Sequence, residues 1–406
     1  MHFDLHLRSV VREQLQDITG AMRYWQIQSR IGEEEAELIR ENVCCFNHST
    51  NCKNLLVAGV DGSGVFPLVS YADSFVYLSV AQGTVYEADR LTGLKEVAPV
   101  PDPLLEFHWI PESEVEGNRA IAEALYKLAG KPLDEVIQQS DYQALKRQEI
   151  RKSDSLQELL SGLILPHASD VGNLAIQLRS TAEMGAALRL IEGDSNLRFL
   201  LVDTTFALPL VSSKTNSLFH EHLKRLCCVE ACRRQIGFFA LSKSHGLPAI
   251  ETLEVLVRDL QGLESGKTAE HWFLRIPEVE RDGWSLSLTE GRRIPPPGAV
   301  SYLVRFHRTT SVLRLDMDRR YWEQVVQGET EAETRERERQ IFENLDYTCH
   351  DQRVYGYPYP VKAAHDRASL TEPERVAFRK QLIAEAVKQG MSPMLFRDPS
   401  QATGHR

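Results

Sequence analysis

Residues 55–64, LLVAGVDGSG, decide how this chain folds: an apolar run leads into an aspartate and is followed at once by small residues. An apolar run of this length is typical of a buried strand. The glycines after Asp61 allow backbone to come close to a ligand. The sequence therefore predicts a strand that ends at Asp61 and presents this acid to a pocket. The alternative is that Asp61 only caps a turn, which is common for aspartate.

A second apolar stretch, residues 198–205 (RFLLVDTT), ends in the same way at Asp203. Two acids at strand ends of one sheet can face one pocket, and facing carboxylates hold divalent metal ions. Between the two stretches, residues 170–192 have apolar residues at helical spacing and carry Glu183 among Ala and Gly. Small neighbours favour close packing on a sheet, so we expect Glu183 to be buried. A surface position is the alternative, with Glu192 as the fallback acid.

The composition is that of an ordinary globular protein. The chain has 406 residues, of which 42% are hydrophobic and 26% charged, and a formal net charge of −10. No apolar run approaches the roughly 18 residues that a membrane span needs, and the N-terminus has no signal-peptide core. We therefore expect a cytoplasmic protein that does not bind membranes. The negative charge argues against coating nucleic acid by bulk charge, but it does not exclude a nuclease whose acids hold metal.

The cysteines form two groups, at residues 44–52 (CCFNHSTNC) and 227–232 (CCVEAC), with a seventh at Cys349. An odd number in a cytoplasmic chain does not favour a disulfide framework. Neither group has paired CxxC motifs, so buried thiols are favoured over a zinc or iron–sulfur site. A redox or metal sensor built on these cysteines remains an alternative.

Residues 262–268, GLESGKT, imitate a phosphate-binding loop. The spacing is one residue short, and no apolar strand directly precedes it, as the motif requires. We therefore do not assign a nucleotide site there.

The remaining pattern predicts an alternation of helices and strands. Helix-like periodicity covers 8–43, 117–129, 132–162, about 213–234 and 328–343, and strand patterns cover 55–61, 65–71, 74–80 (with a possible extension at 83–87), 236–243 and parts of 270–316, with a Pro-rich connection at 95–111. We expect an N-terminal helical extension at 1–50, a main domain at 51–396 with a helical insertion at about 112–165, and a disordered tail at 397–406.

The C-terminal stretch 355–366, YGYPYPVKAAHD, adds Tyr357 and His365 to the candidate residues. A helix is expected to begin after the prolines, with His365 in its first turns, near the positive end of the helix dipole. Either residue has a structural alternative, as loop packing or as a core histidine.

These motifs, in this order, resemble the NurA family of nucleases. The resemblance runs from about residue 55 to residue 370 and rests on the motifs around Asp61, Glu183, Asp203, Lys243 (in ALSKS, 240–244), Tyr357 and His365. It implies an α/β protein with an RNase H-like mixed sheet flanked by helices, and helical N-terminal and C-terminal additions. The N-terminal 50 residues and the cysteine groups lie outside it.

The resemblance also implies an activity. Asp61, Glu183, Asp203 and His365 would hold Mn²⁺ or Mg²⁺, two ions per site, with Tyr357 and His365 completing the catalytic set. Two ions about 4 Å apart activate water and stabilise the leaving oxygen in phosphodiester hydrolysis. The family members are homodimers with 5′–3′ exonuclease and single-strand endonuclease activity, which act in DNA-end processing with the hexameric HerA ATPase. Candidates to line the DNA path are Arg233, Arg234, Lys243, Arg292 and Arg293.

One departure from the family pattern concerns Asp203. Thr204 stands where the family usually has glycine, and a β-branched residue narrows backbone freedom. This puts the placement of Asp203 in question, so the runner-up function is a catalytically weak adaptor or regulatory subunit of a HerA-like ATPase.

Overall fold

The computed structural model describes residues 5–28, 31–48, 54–89, 93–149, 170–193, 196–208, 219–244, 246–247, 250–264 and 271–397. The expected tail beyond Arg397, the part of the helical insertion after residue 149, and Cys52 lie outside these residues. No described helix is both long and apolar enough to cross a membrane.

Eleven strands form one mixed sheet, in the order β1-β8-β9-β10-β7-β6-β2-β3-β4, with β5 paired to β3 and β13 paired to β2. The strands are β1 (Cys44–Cys45), β2 (Leu55–Tyr71), β3 (Ser74–Asp89), β4 (Gly93–Glu96), β5 (Leu104–Pro111), β6 (Phe199–Val202), β7 (Gly237–Ser242), β8 (Trp272–Arg275), β9 (Ala299–Arg305), β10 (Leu313–Asp318) and β13 (Phe396–Arg397), while β11 (His350–Asp351) and β12 (Val354–Tyr355) form a separate hairpin.

The centre of the sheet has the strand order and directions of an RNase H-like fold. β2 and β3 are antiparallel, and β3 also pairs with β4 and β5 in antiparallel fashion. On the other side of β2, strands β6 and β7 run parallel to it. Strands β2 to β5 are thus antiparallel, with β4 and β5 both paired to β3, and β6 and β7 follow parallel to β2. With a long helix before β6 and another before β7, this arrangement confirms the predicted mixed sheet flanked by helices. Strands β10, β9, β8 and β1 extend it with antiparallel pairs.

The helices cover both faces of this sheet. They are α1 (Leu5–Gln28), α2 (Glu33–Asn42), α3 (Glu114–Ala129), α4 (Leu133–Gln139), α5 (Tyr142–Glu149), α6 (Val171–Gly193), α7 (Phe219–Arg233), α8 (Ile250–Glu264), α9 (Val279–Asp282), α10 (Arg319–Tyr321, continued by a π turn at Trp322–Val326), α11 (Glu331–Thr348), α12 (Tyr359–Ala368) and α13 (Glu372–Lys388), with 3-10 turns at Ser287–Thr289 and Pro393–Leu395.

Alternate residues of β6 build two hydrophobic cores, because successive side chains of a strand point to opposite faces. Leu200 and Val202 pack in the core with α3, α6 and α7. Phe199 and Leu201 pack in the core with α11 and the start of α12. The central strands are therefore buried on both sides, which explains their continuous apolar sequence.

The strands around Asp61 differ from the prediction. Three strands at 55–61, 65–71 and 74–80 were expected, but the chain forms two long ones, β2 with 17 residues and β3 with 16. Gly62 and Gly64 remain inside β2 instead of forming a turn. Asp61 thus lies within a strand and not at its end. The predicted connection at 95–111 was also wrong, because it contains β4 and β5.

The structure confirms two of the predicted helices and divides a third. The predicted helix at 170–192 is α6, and the charged helix at 328–343 is α11, which begins and ends slightly later. The described part of 132–162 is broken into α4 and α5 near Ser140. The thiols of Cys227, Cys228 and Cys232 on α7 are buried, as expected of core cysteines.

Candidate functional site

The register between β2 and β6 brings two acids together. These strands are parallel, and Val60 is paired with Val202 where β6 ends. Asp61 and Asp203, one residue further along each strand, are therefore neighbours at the end of β6. Asp61 is buried, and its Oδ1 accepts a hydrogen bond of 2.8 Å from the backbone N–H of Gly62. The Asp203 side chain is 32% exposed, so the pair lies at the boundary between core and solvent.

Helix α6 supplies the third acid, Glu183, from the face of the sheet. A Cβ atom on Gly62 would lie 3.0 Å from the Glu183 Cβ, so the glycine is what lets the helix cross β2 this closely. Among the described residues, Oε1 of the buried Glu183 has no hydrogen-bond partner. Burial, together with the negative charges of Asp61 and Asp203, raises the pKa of Glu183 to about 8. Burial and the neighbouring acids therefore disfavour the charged form of this carboxyl, which would be stabilised by a nearby cation.

His365 reaches the same site from helix α12. Its Nδ1 lies 2.5 Å from Oδ2 of Asp61, and 57% of the imidazole is exposed. The helix is fixed on the sheet because Oγ1 of Thr84 donates a 2.7 Å hydrogen bond to the carbonyl of Pro360. The expectation that His365 lies in the first turns of α12 was wrong. It lies in the last turn, where its carbonyl accepts a bond from the N–H of Ser369.

A basic residue and a tyrosine flank Asp203. Lys243 follows β7 directly, and its Nζ lies 3.5 Å from Oδ2 of Asp203 and 4.3 Å from the centre of the Tyr357 ring. Tyr357 is buried, and burial together with the charges of Asp203 and Asp61 raises the pKa of its hydroxyl well above the usual range. This hydroxyl therefore stays protonated and can donate a hydrogen bond to an anion.

The turn after Asp203 accommodates the two threonines that depart from the family pattern. The N–H of Thr204 donates a 3.0 Å bond to the carbonyl of Val202. The carbonyl of Thr205 accepts a 3.0 Å bond from Nζ of Lys224, a buried lysine that also pairs with Glu221 at 2.7 Å. The backbone after Asp203 is thus held by an ion pair on α7, and Asp203 lies beside Asp61 despite the absence of glycine.

Arg179 belongs to this site, although the sequence reasoning missed it. Its Nε donates a 2.9 Å bond to the carbonyl of Gly62, and its terminal nitrogen lies 4.0 Å from Oδ1 of Asp61. The side chain is 56% exposed, so the guanidinium can reach a bound anion. The available signal was its position four residues before Glu183, which places both on one helix face.

The structure separates the other candidate DNA-binding residues into two groups. Arg233 and Arg234 come just before β7, at the end of the sheet opposite to Lys243, and Arg234 donates to the carbonyl of Glu192 at the end of α6. Arg292 donates to the carbonyl of Gly246, in the loop that follows Lys243. Arg292 and its exposed neighbour Arg293 therefore lie on the same side as the acids, whereas Arg233 and Arg234 do not.

The donor set fits a hard divalent cation. Three carboxylates and one imidazole come from four separate elements, and one carboxylate oxygen is buried without a partner. The possible ligand atoms of the three acids do not all lie within 4.8 Å of one another, so side-chain rotations would be needed for all three to bind one ion.

Comparisons with known proteins give a structural likeness. No family model matches the chain, and no curated protein sequence matches it significantly. Among solved structures, the NurA nuclease from Sulfolobus solfataricus is 13% identical, with a TM-score of 0.49 over 95% of this chain and 98% of that one. A NurA structure with manganese is 12% identical (TM-score 0.38, covering 93% and 98%). NurA bound to dAMP and manganese is 11% identical (TM-score 0.35, covering 96% and 98%).

Proposed function

We propose that this chain is a divalent-metal-dependent deoxyribonuclease. The observation that carries the proposal is that Asp61, Glu183 and Asp203 lie close enough in an RNase H-like sheet for the charges of the two aspartates to raise the pKa of Glu183, with His365 in contact with Asp61. Among the described residues, Oε1 of Glu183 is buried without a hydrogen-bond partner, and such a group is costly in a folded protein. The collection of the three acids from separate elements is explained by a ligand that they hold together.

The three carboxylates would hold Mn²⁺ or Mg²⁺. Bound there, divalent ions lower the pKa of an attacking water and neutralise the charge that develops on the leaving oxygen. We include two ions per site in the proposal, as the resemblance of the sequence motifs implies. With a cation bound, Glu183 would be a carboxylate, because the positive charge would offset the effect of burial and of the neighbouring acids on its pKa.

The basic residues position the phosphodiester. The exposed guanidinium of Arg179, beside Asp61, presents a planar fork that matches two phosphate oxygens. Lys243, on the far side of Asp203, offers a point charge to the adjacent phosphate. The protonated hydroxyl of Tyr357 donates a hydrogen bond on the same side. Together these groups hold the backbone of the nucleic acid across the acids without reading its sequence.

His365 moves a proton. Its imidazole is in contact with Asp61, and its exposure allows it to reach the substrate. An imidazole can both take up and release a proton, which suits transfer of a proton to the leaving 3′ oxygen. Its contact with the Asp61 carboxylate orients the ring for this role.

Finer features of the proposal come from the resemblance of the sequence motifs to the NurA family. We include in it 5′–3′ exonuclease and single-strand endonuclease activity, a homodimer, and action in DNA-end processing with a HerA-like hexameric ATPase. An acidic chain that degrades a polyanion benefits from a partner that holds and feeds the DNA, since neutralisation of phosphates drives affinity.

The test is a cleavage assay on end-labelled single-stranded and duplex DNA with Mn²⁺, Mg²⁺ or EDTA. We expect metal-dependent cleavage that is lost in Asp61→Asn, Glu183→Gln and Asp203→Asn, because the loss of one ligand removes several kcal/mol of transition-state stabilisation. Full activity in any of these folded variants would overturn the assignment. A folded wild-type protein that binds a HerA-like ATPase but never cleaves DNA would instead establish the adaptor function.

A further inference from the structure

A second group of possible metal ligands lies beside the edge strand β1 and the end of α11, apart from the three acids. His48 follows β1, Asp346 lies in the last turn of α11, and His350 begins the β11–β12 hairpin. The possible ligand atoms of these three residues all lie within 4.8 Å of one another. Among the described residues, no other group of three or more His, Cys, Asp or Glu meets this condition.

The centre of this group is a buried carboxylate surrounded by imidazoles. Oδ2 of Asp346 lies 2.6 Å from Nδ1 of His48, and Oδ1 lies 3.1 Å from Nε2 of His350. A third imidazole, His271, has its Nδ1 2.9 Å from Oδ1 of the same carboxylate. The rings of His48 and His350 are only 4.1 Å apart, centre to centre. The two oxygens have about four acceptor positions, so one carboxylate can hold all three imidazoles together. Nε2 of His350 also lies 3.0 Å from the carbonyl oxygen of Phe306.

We propose that His48, His350 and Asp346 form a zinc site with three protein ligands, in which His271 orients Asp346. Two imidazole nitrogens and one carboxylate oxygen are borderline ligands that favour Zn²⁺ over Mg²⁺. The His48 ring is 38% exposed, so water can occupy a fourth position, whereas Asp346 is fully buried. His271, whose side chain is only 10% exposed, takes the place of the outer-shell partner that holds a zinc ligand in position.

The site would connect parts of the chain that are distant in sequence. His48 lies on the segment that pairs with β8 through Cys44 and Cys45, and Asp346 and His350 lie at the junction of α11 and β11. The β11–β12 hairpin leads directly to Tyr357, and the N–H of Gly356 donates a 2.8 Å bond to the carbonyl of Cys349. A metal ion at His350 would therefore fix the base of the segment that carries Tyr357 and His365 to the acids.

The cysteine pattern of the sequence contributes one residue to this site. In the group at 44–52, Cys44 and Cys45 do not belong to a cluster of possible ligands in the described structure, but His48 does. In this segment the possible metal ligand is therefore His48 and not a cysteine.

The test measures the binding of Zn²⁺, with no other metal present, to the Asp61→Ala protein. This variant is used so that the three acids of the proposed nuclease site do not bind zinc as well. We expect one equivalent per chain after dialysis against metal-free buffer, and a Co²⁺-substituted form with the visible absorption of a low-symmetry site. His48→Ala and His350→Ala should each weaken zinc binding at least 100-fold, and His271→Ala by about 10- to 100-fold. His307→Ala, which removes a neighbouring histidine outside the group, should leave it unchanged.

Two results would overturn the proposal. One is the absence of bound zinc in the Asp61→Ala background, which would leave a hydrogen-bonded histidine group and nothing more. The other is zinc that persists undiminished in the folded His48→Ala and His350→Ala proteins. If His350→Ala fails to fold, the partly exposed His48 still gives a variant that decides the question.

Discussion

Nδ1 of His365 lies 2.5 Å from Oδ2 of Asp61, although the two residues are 304 positions apart in sequence. The contact joins the last turn of α12 to the middle of β2. It is the point where the C-terminal segment completes a site whose acids come from the first half of the chain. Because 57% of the imidazole is exposed and Asp61 also accepts a hydrogen bond from the N–H of Gly62, we expect loss of this contact to leave the fold intact.

His365→Ala should therefore lower turnover strongly while the protein remains folded. We expect a loss of about 100-fold or more in kcat, which is the usual range for removal of a general acid. DNA binding and the melting temperature should change little. Steady-state kinetics with Mn²⁺, together with thermal unfolding, measure both effects. A variant that unfolds, or that cleaves DNA at the wild-type rate, would show that His365 is a structural residue.

Glu183→Gln should abolish cleavage and at the same time stabilise the metal-free protein at high pH. The folded protein raises the pKa of Glu183 from 4.5 to about 8, mainly because the side chain is buried. Between these values the folded state binds a proton that the unfolded chain has released, so its stability falls as pH rises, by up to about 1.4 kcal/mol per pH unit. Glutamine does not titrate and removes this loss.

The measurement is the melting temperature in EDTA at pH 5 and pH 8 for both proteins. Wild type and variant should differ little at pH 5, and the variant should melt higher at pH 8. A variant that melts lower than wild type at pH 8 would contradict a buried, unpartnered carboxyl at this position.

Arg179→Ala should lower kcat/KM for DNA cleavage about 10-fold or more. The reason is that its exposed guanidinium lies 4.0 Å from Oδ1 of Asp61, where it can bind a phosphate. Arg179→Lys should restore only part of this, since an ammonium does not offer two parallel donors. The control is Arg233→Ala, an arginine with 66% exposure, compared with 56% for Arg179, just before the opposite end of β7. Equal losses in the two variants would mean that general charge matters and that Arg179 has no special position.

The sequence predicted the central part of the site because its acids follow apolar strands, and parallel strands bring the residues after them together. Asp61 and Asp203 became neighbours through the register of Val60 and Val202. The length of β2 was not predictable in this way. Residues 62–64, Gly-Ser-Gly, have the composition of a turn but lie inside β2. A glycine is needed at residue 62 because α6 packs so closely there that a Cβ atom would lie 3.0 Å from the Cβ of Glu183.

The histidine group could not be predicted from the sequence. His48, His271 and His350 are separated by long stretches, and no spacing rule connects them. They meet because β1 pairs with β8 at one edge of the sheet and α11 ends beside that edge. The spacing of motifs in the sequence does not reveal contacts that depend on the order of strands in a sheet. For the same reason the sequence did not show that Arg292, and not Arg233, lies on the side of Lys243.

Gly59→Ala should disturb the site through the backbone of α12. A Cβ atom at this position would lie 2.3 Å from the carbonyl carbon of Pro360, a contact that forces the start of the helix away from β2. We expect a loss of about 1–3 kcal/mol in the free energy of unfolding, as for overpacking in a core. Cleavage should fall by more than the unfolded fraction explains, because the displaced helix carries His365.

The control is Gly172→Ala on α6, where a Cβ meets no atom within 4 Å and stability should be unchanged or slightly higher. Denaturant unfolding and cleavage rates, measured on the same preparations, decide the matter: a Gly59→Ala protein with wild-type kcat would show that α12 does not need its close contact with β2 to place His365.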